Sequence, residues 1–214
     1  MQKLLLFILL FLAAGCEHAD QKDKYIMHDD FYYYFLGNEV NKYYLSPCLD
    51  EYYIILKTEY LESTLDELHN KGFQITKGPT SLIFDFNFPE DEMFINQLNG
   101  CSSLCIKGSG DIAGIAHIIY SHHLYYNEHD SIVGRSNLFS VKFDSSNQES
   151  QIQLLLQYAK QQNIIPINIY YDLSWITFAC TNNSTGNPVE LSNWYIEVGA
   201  FLSAHPDFSE NSID

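Results

Sequence analysis

The sequence predicts an α+β fold: two tandem split βαβ units, preceded by a β-hairpin and joined by an extended β segment. Three observations predict it. Short β-rich runs and stretches with apolar residues at helical spacing follow one another in the order β-α-β-β-α-β, and that order occurs twice. Aromatic residues make up 15% of the chain, with 16 Tyr and 14 Phe, and ring side chains fit a pleated surface. Hydrophobic residues reach 46% and charged ones only 18%, enough apolar material for a core.

The elements follow in order. In residues 31–45 two aromatic runs flank Leu36-Gly37-Asn38-Glu39, and Gly-Asn is a two-residue hairpin signal. Tyr52 to Thr58 is β-rich. Leu61, Leu65 and Leu68 recur at helical spacing before the stop at Gly72. Phe73 to Thr76 and Leu82 to Phe88 read as strands around a Lys77-Gly78-Pro79 turn. Pro89 suits the first position of a helix carrying Phe94, Ile95 and Leu98, which Gly100 ends. Cys101 to Ile106 closes this first unit, placed with the hairpin in residues 31–107. Residues 108–137 read as an extended β connection.

The second unit spans residues 138–208. Phe139 to Phe143 is a strand, and Gln148 to Gln161 is a helix with Ile152, Leu155 and Ala159 on one stripe. Ile164 to Tyr171 and Trp175 to Cys180 form a hairpin around Asp172-Leu173. Asn187-Pro188-Val189-Glu190 starts a helix: Asn caps, Pro fits the first turn, and Glu three residues on completes a capping box. Gly199 stops it, Phe201 to His205 is the last strand, and residues 209–214 are a tail. Both units match the ferredoxin-like pattern. The copies share pattern, not sequence.

The start of the chain is an address. Met1-Gln2-Lys3 precedes an apolar run from Leu4 to Leu12, and Ala13-Ala14-Gly15 precedes Cys16. A positive start, about ten apolar residues and small residues before a cut describe a secretory signal, too short for the roughly 20 residues that span a bilayer. Ala-Ala-Gly-Cys resembles the bacterial lipoprotein lipobox, although Ala13 stands where Leu is usual. The resemblance implies a signal peptide of residues 1–15, cleavage before Cys16 and acylation there. Residues 16–30 are polar and without period, a tether. The expected place is the cell envelope, held by acyl chains, on the periplasmic or surface face of the outer membrane.

With 11 Lys and Arg against 27 Asp and Glu, the net charge is −16, which argues against a nucleic-acid partner and against electrostatic membrane binding. Membrane attachment is therefore expected through the lipid anchor alone. No Gly-x-Ser-x-Gly elbow, P-loop, Gly-x-Gly-x-x-Gly or His-Glu-x-x-His occurs, and no cofactor is expected. His117, His122, His123, Glu128, His129 and Asp130 lack metal-ligand spacing on one element, so solvated histidines on an aromatic hairpin are expected and no metal site. Acidic Glu90, Asp91 and Glu92 suit the first turn of a helix. Export puts Cys48, Cys101, Cys105 and Cys180 in a disulfide-permissive compartment, where four Cys allow three pairings. Same-strand Cys101 and Cys105 are too far apart to bridge, and buried free thiols are the expectation. No catalytic constellation emerges, and no enzyme activity is expected.

The stretch Trp175 to Phe208 carries a further resemblance. A strand, an Asn/Gly-rich turn (Thr181-Asn-Asn-Ser-Thr-Gly186), a helix and Ala204-His-Pro-Asp-Phe208 resemble the end of the N-terminal propeptide-like region of secreted bacterial subtilisin-like serine proteases. Phe31-Tyr-Tyr-Tyr-Phe35 is similar to the start of the same region. The catalytic domain of that family has no counterpart here, so no triad residue carries over and the resemblance implies a non-catalytic module. In the family such a module assists folding of the protease and inhibits it. An open sheet face packs on two protease helices, and the C-terminal tail lies in the substrate cleft. Strand alternation supplies a matching face here. It points Val141, Phe143, Ile176, Phe178 and Cys180 toward the helices, and Lys142, Asn168, Tyr170, Trp175 and Thr177 outward. Tyr170, Trp175, Thr177, Pro206, Asp207 and Phe208 are the expected contacts to a subtilisin-like protease. Two other readings compete: an envelope lipoprotein that holds a glycan or envelope protein through Tyr32, Tyr33, Tyr34, Tyr43, Tyr44, Tyr125 and Tyr126, and a truncated protease remnant without a partner.

The lipobox resemblance generates a direct test. Globomycin should block processing, and a Cys16→Ser variant should lose metabolic palmitate labelling. Unchanged labelling of that variant rejects acylation at Cys16.

Overall fold

Four consecutive apolar residues, Tyr53-Ile54-Ile55-Leu56, stand at the centre of the fold and are all buried. A strand buried on both faces loses the apolar–polar alternation of a half-exposed one. In the computed structural model, which describes residues 32–36, 41–84, 86–87 and 96–208, this run lies in β2 (Asn41–Lys57). Cys16, the tether and the tail 209–214 lie outside the described residues, as do the expected first turn of the Pro89 helix with Glu90, Asp91 and Glu92, and its Phe94 and Ile95.

The architecture is α+β with two antiparallel sheets. The first contains β1 (Tyr32–Leu36), β2, β3 (Gln74–Leu82), β4 (Cys101–Lys107), β5 (Ile118–Tyr126) and β6 (Ile132–Val133). Its order is β3-β4-β2-β5-β6, with β1 also on β2. Helix α1 (Leu61–Asn70) lies between β2 and β3 in the chain. It covers one face of this sheet, where Leu68 and Phe73 pack with Ile54, Leu56, Leu104 and Ile106.

The second sheet contains β7 (Leu138–Lys142), β8 (Ile165–Tyr170), β9 (Trp175–Ala179) and β10 (Ser203–Pro206) in the order β10-β7-β9-β8. Helix α2 (Gln148–Gln162) follows β7 and α3 (Pro188–Glu197) follows β9. The element order is the β-α-β-β-α-β read from the sequence. Every pairing is antiparallel, so β9 separates β7 from β8, and β7 separates β9 from β10. Val141, Phe143, Ile176, Phe178 and Cys180 pack with Leu155 and Ala159 of α2 and Leu191 and Tyr195 of α3. Asn187 caps α3, accepting from the Val189 and Glu190 N–H groups, and Glu190 Oε2 accepts from Asn187 N–H at 2.9 Å.

The first half departs from the expected strand plan in three ways. The hairpin's second strand and the Tyr52 strand merge into the 17 residues of β2. The strand expected at 73–76 runs on through the Lys77-Gly78-Pro79 turn to Leu82 as β3, because pairing with β4 resumes beyond the turn and makes it a bulge, and the described residues 83, 84, 86 and 87 of the strand expected at 82–88 are not strand. Proline is tolerated there because β3 is an edge strand. The 108–137 connection is β as expected, but β5 pairs with β2 and so belongs to the first sheet. The half-chains also share one core. A single buried cluster contains Tyr53, Ile55, Cys105 and Tyr120 of the first sheet with Phe139, Phe178 and Tyr195 of the second half.

Both arms of the α3 capping box are present, so Asn187→Ala should lower stability by about 1 kcal/mol. Urea unfolding followed by Tyr fluorescence measures this; a loss below about 0.3 kcal/mol would show the cap to be dispensable.

Candidate functional site

The outward face of the second sheet ends in a row set by strand register: Tyr170 opposite Trp175, Trp175 opposite Lys142, and Lys142 opposite Ser203. The Lys142 Nζ lies 5.8 Å from the Trp175 ring centre. His205 meets the same ring edge-on at 5.0 Å. The β8–β9 turn beside the row leaves Tyr171 and Leu173 59% and 64% exposed, and Tyr170 itself is 44% exposed. Thr177 lies further along the face, its hydroxyl 2.9 Å from that of Ser140.

The other half of this face is covered. Phe84, Phe86 and Leu98 pack on Ile165, Ile167 and Ala179. Asn87 acts as a short mimic of a neighbouring strand along β8. Its Oδ1 accepts from Ile169 N–H at 2.7 Å and its Nδ2 donates to Ile169 C=O at 3.0 Å. Asn168, expected on an open surface, is therefore buried, and its Oδ1 accepts from Asn87 N–H. Satisfying the polar edge of β8 in this way also blunts it against intermolecular pairing.

The six expected contact residues divide. Tyr170, Trp175 and Thr177 share the outward face of the second sheet. Pro206, Asp207 and Phe208 lie at the opposite end of β10 and take part in the fold. Pro206 is buried, Asp207 N–H donates to Leu138 C=O at 2.9 Å, and Phe208 packs beside Leu45, Tyr125 and Val189. Of the tyrosines weighed for glycan binding, Tyr125 is core, whereas Tyr44 and Tyr126 are partly exposed.

The expected solvated histidines divide: His117 and His129 are exposed, and His122 and His123 are half-buried. His117 stacks on Tyr60 at 3.8 Å, and His123 lies 4.3 Å from the Tyr52 ring with Nδ1 3.1 Å from Cys48 C=O. His122 sits among Tyr53, Tyr120 and Tyr125, its Nδ1 enclosed without a partner. His129, like His117, is exposed, and it lies near Glu128. The register of β5 against β2, not legible locally, sets His122 opposite Tyr53 and half-buries its ring. Cys48, Cys101, Cys105 and Cys180 are all free and buried. Burial pushes every one of these thiols up, Cys48 to about 11, which keeps them protonated at neutral pH.

Sequence reasoning passed over one feature, a cavity of about 110 Å³ beside β3 lined by Tyr53, Lys77, Gly78, Thr80, Ser103, Leu104, Cys105 and Arg135. Arg135 is the one arginine in the 214 residues, and that singularity was the available signal. Its Nε is enclosed without a hydrogen-bond partner. Among the described residues no three His, Cys, Asp or Glu side chains are grouped to hold a metal ion, and no helix is long and apolar enough to cross a membrane. No protein family, curated protein or solved structure matches the chain.

His122 gives a pH prediction. Burial pushes its pKa down to about 4; the Gly134 backbone hydrogen bond opposes this, and His123 reinforces it. The unfolded chain, with His near 6.5, binds more protons between about pH 6.5 and 4, so stability should fall on acidification through that window. The expected loss from pH 7.5 to 5.0 is on the order of 1–2 kcal/mol. His122→Phe should remove this component of the slope, read from urea midpoints at the two pH values. An unchanged slope would assign the acid sensitivity to other groups.

Proposed function

We propose that this chain is a lipid-anchored, non-catalytic binding module of the bacterial cell envelope that engages a subtilisin-like protease in trans. The observation that carries the reading is the Lys142–Trp175–Tyr170 row on the open end of a four-stranded antiparallel sheet whose opposite face holds both helices. Trp and Tyr are the residue types that dominate protein–protein hot spots, because they combine large apolar area with a polar tip. Lys142 over the indole holds the ring in place and supplies a cation on an otherwise acidic chain. The resemblance of Trp175 to Phe208 to a protease propeptide names the partner class. The segment that enters a cleft is then the tail 209–214, since Pro206 is buried and Phe208 is packed.

Two features fit a module that works at a membrane surface. Acylation at Cys16 fixes the chain end, and the tether 16–30 lets the folded part meet a partner at high local concentration. The acidic surface is repelled by anionic head groups, which keeps the binding face off the bilayer.

The test is inhibition and refolding of subtilisin-like proteases from the producing cell by the full mature chain in mild detergent. Micromolar or tighter inhibition is expected, weakened about tenfold or more by Trp175→Ala. Absence of any effect on activity or refolding up to about 100 μM, or equal potency of the variant, overturns the reading.

A further inference from the structure

We infer that the cavity beside β3 is a binding site for a small oxyanion, a carboxylate or phosphate group of a low-mass ligand. It is separate from the Trp175 row and does not depend on the protease reading.

The site is built by register. Lys77 stands opposite Cys105 across β3 and β4, and Cys105 stands opposite Tyr53 across β4 and β2, so the three form one row. Thr80 stands opposite Ser103 in the same β3–β4 ladder. Residues three apart on a regular strand point to opposite faces. The pairing slips between Lys77 and Thr80, leaving Gly78 and Pro79 opposite Leu104, so both Lys77 and Thr80 reach the face of Ser103 and Cys105. Bulges commonly re-aim a side chain in this way. Gly78 makes the bulge possible: its φ is +98°, and a Cβ there would stand 2.8 Å from the Ser103 carbonyl oxygen. Arg135 reaches the row from the segment after β6, which turns at Gly134 with φ +89°.

The chemistry is that of an anion receptor. The chain has 11 basic and 27 acidic residues, yet Arg135 and Lys77 line one small cavity with no carboxylate among its lining residues. Neither cation forms a salt bridge with a described residue. Acidic groups act on the lining from outside it: Glu51, itself 3.1 Å from Lys107, acts on Cys105, and Asp207 acts on Tyr53. Arg135 bonds the Cys105 thiol, which burial keeps neutral, so the thiol does not serve as the counter-charge. An enclosed guanidinium N–H without an acceptor is costly, and an oxyanion is the ligand that supplies one. A planar guanidinium fork bonds carboxylate or phosphate two atoms at a time, Lys77 adds a point charge, Thr80 offers a hydroxyl, and the hydrogen-bonded Tyr53–Ser103 pair leaves one further O–H to donate. The size agrees. One water needs roughly 10–15 Å³ of such space, whereas drug-sized ligands fill about 300–1,000 Å³ pockets, so 110 Å³ suits a group of a few heavy atoms.

The experiment is isothermal titration calorimetry on the full mature chain in mild detergent at fixed ionic strength, with sodium phosphate, sodium acetate and sodium chloride as titrants. Saturable binding of phosphate or acetate, but not chloride, is expected. Arg135→Gln and Lys77→Gln should each weaken it about tenfold or more, whereas Cys105→Ser should retain it. Binding of phosphate alone assigns a phosphate group, and binding of acetate alone assigns a carboxylate. Lys77 lies exposed on an edge strand, so Lys77→Gln reports even where Arg135→Gln fails to fold. No saturable heat with either oxyanion up to about 10 mM, or binding unchanged in Lys77→Gln, overturns the assignment.

Discussion

Burial of β2 on both faces is the constraint from which the rest of the structure follows. Ile54, Ile55 and Leu56 are wholly buried, and side chains of successive strand residues point to opposite sides. One covering layer cannot hide them. Helix α1 supplies the cover for Ile54 and Leu56, and the cluster containing Ile55 reaches into the second half of the chain. The two halves therefore complete one another's core. Tyr195 shows the coupling from the other side: its ring lies 5.6 Å from Phe139, 5.8 Å from Phe178 and 5.5 Å from Phe201, within the same cluster that holds Tyr53 and Tyr120.

A shared core leaves the sheet edges to be managed separately, and the two are handled by different means. On β8, side-chain amides of Asn87 replace a missing strand at Ile169. On β3, eight of the nine residues are exposed, and Pro79 with its bulge interrupts the ladder instead. An interrupted edge resists pairing with another chain. It also opens the space that Lys77, Thr80 and Arg135 line, so edge protection and cavity formation are the same distortion of the backbone.

The second half was legible because its signals are local. The capping box at Asn187, the hydrophobic stripe of α2 and the alternation of Val141, Phe143, Ile176 and Phe178 each specify an element without knowledge of the rest. The first half was less so. Lys77-Gly78-Pro79 is a good turn signal, and only the presence of β4 alongside turns it into a bulge. Tyr43 and Tyr53 read as two strands, and only pairing with β1, β4 and β5 makes β2 continuous. The open face was half read for the same reason. Trp175 and Tyr170 follow from alternation, whereas the cover over Ile165 and Ile167 comes from Phe84 and Phe86, far away in sequence. Arg135 stands in no motif, and register alone carries Lys77, Cys105 and Tyr53 to it.

The cysteines show how such packing substitutes for covalent stapling. Cys101 and Cys105 lie four residues apart on β4, which is about 13 Å along an extended strand and far beyond disulfide reach. Cys48 and Cys180 are held on β2 and just beyond β9, each within the common cluster. Burial keeps all four thiols protonated, and a protonated thiol is a poor nucleophile toward oxidants and disulfides. A chain packed in this way keeps unpaired cysteines from scrambling, provided the core stays closed. The integrity of that core rests in turn on β2. Opening the Ile55 face of the central strand exposes Tyr53 and Cys105 together, and with them the floor of the Arg135 cavity.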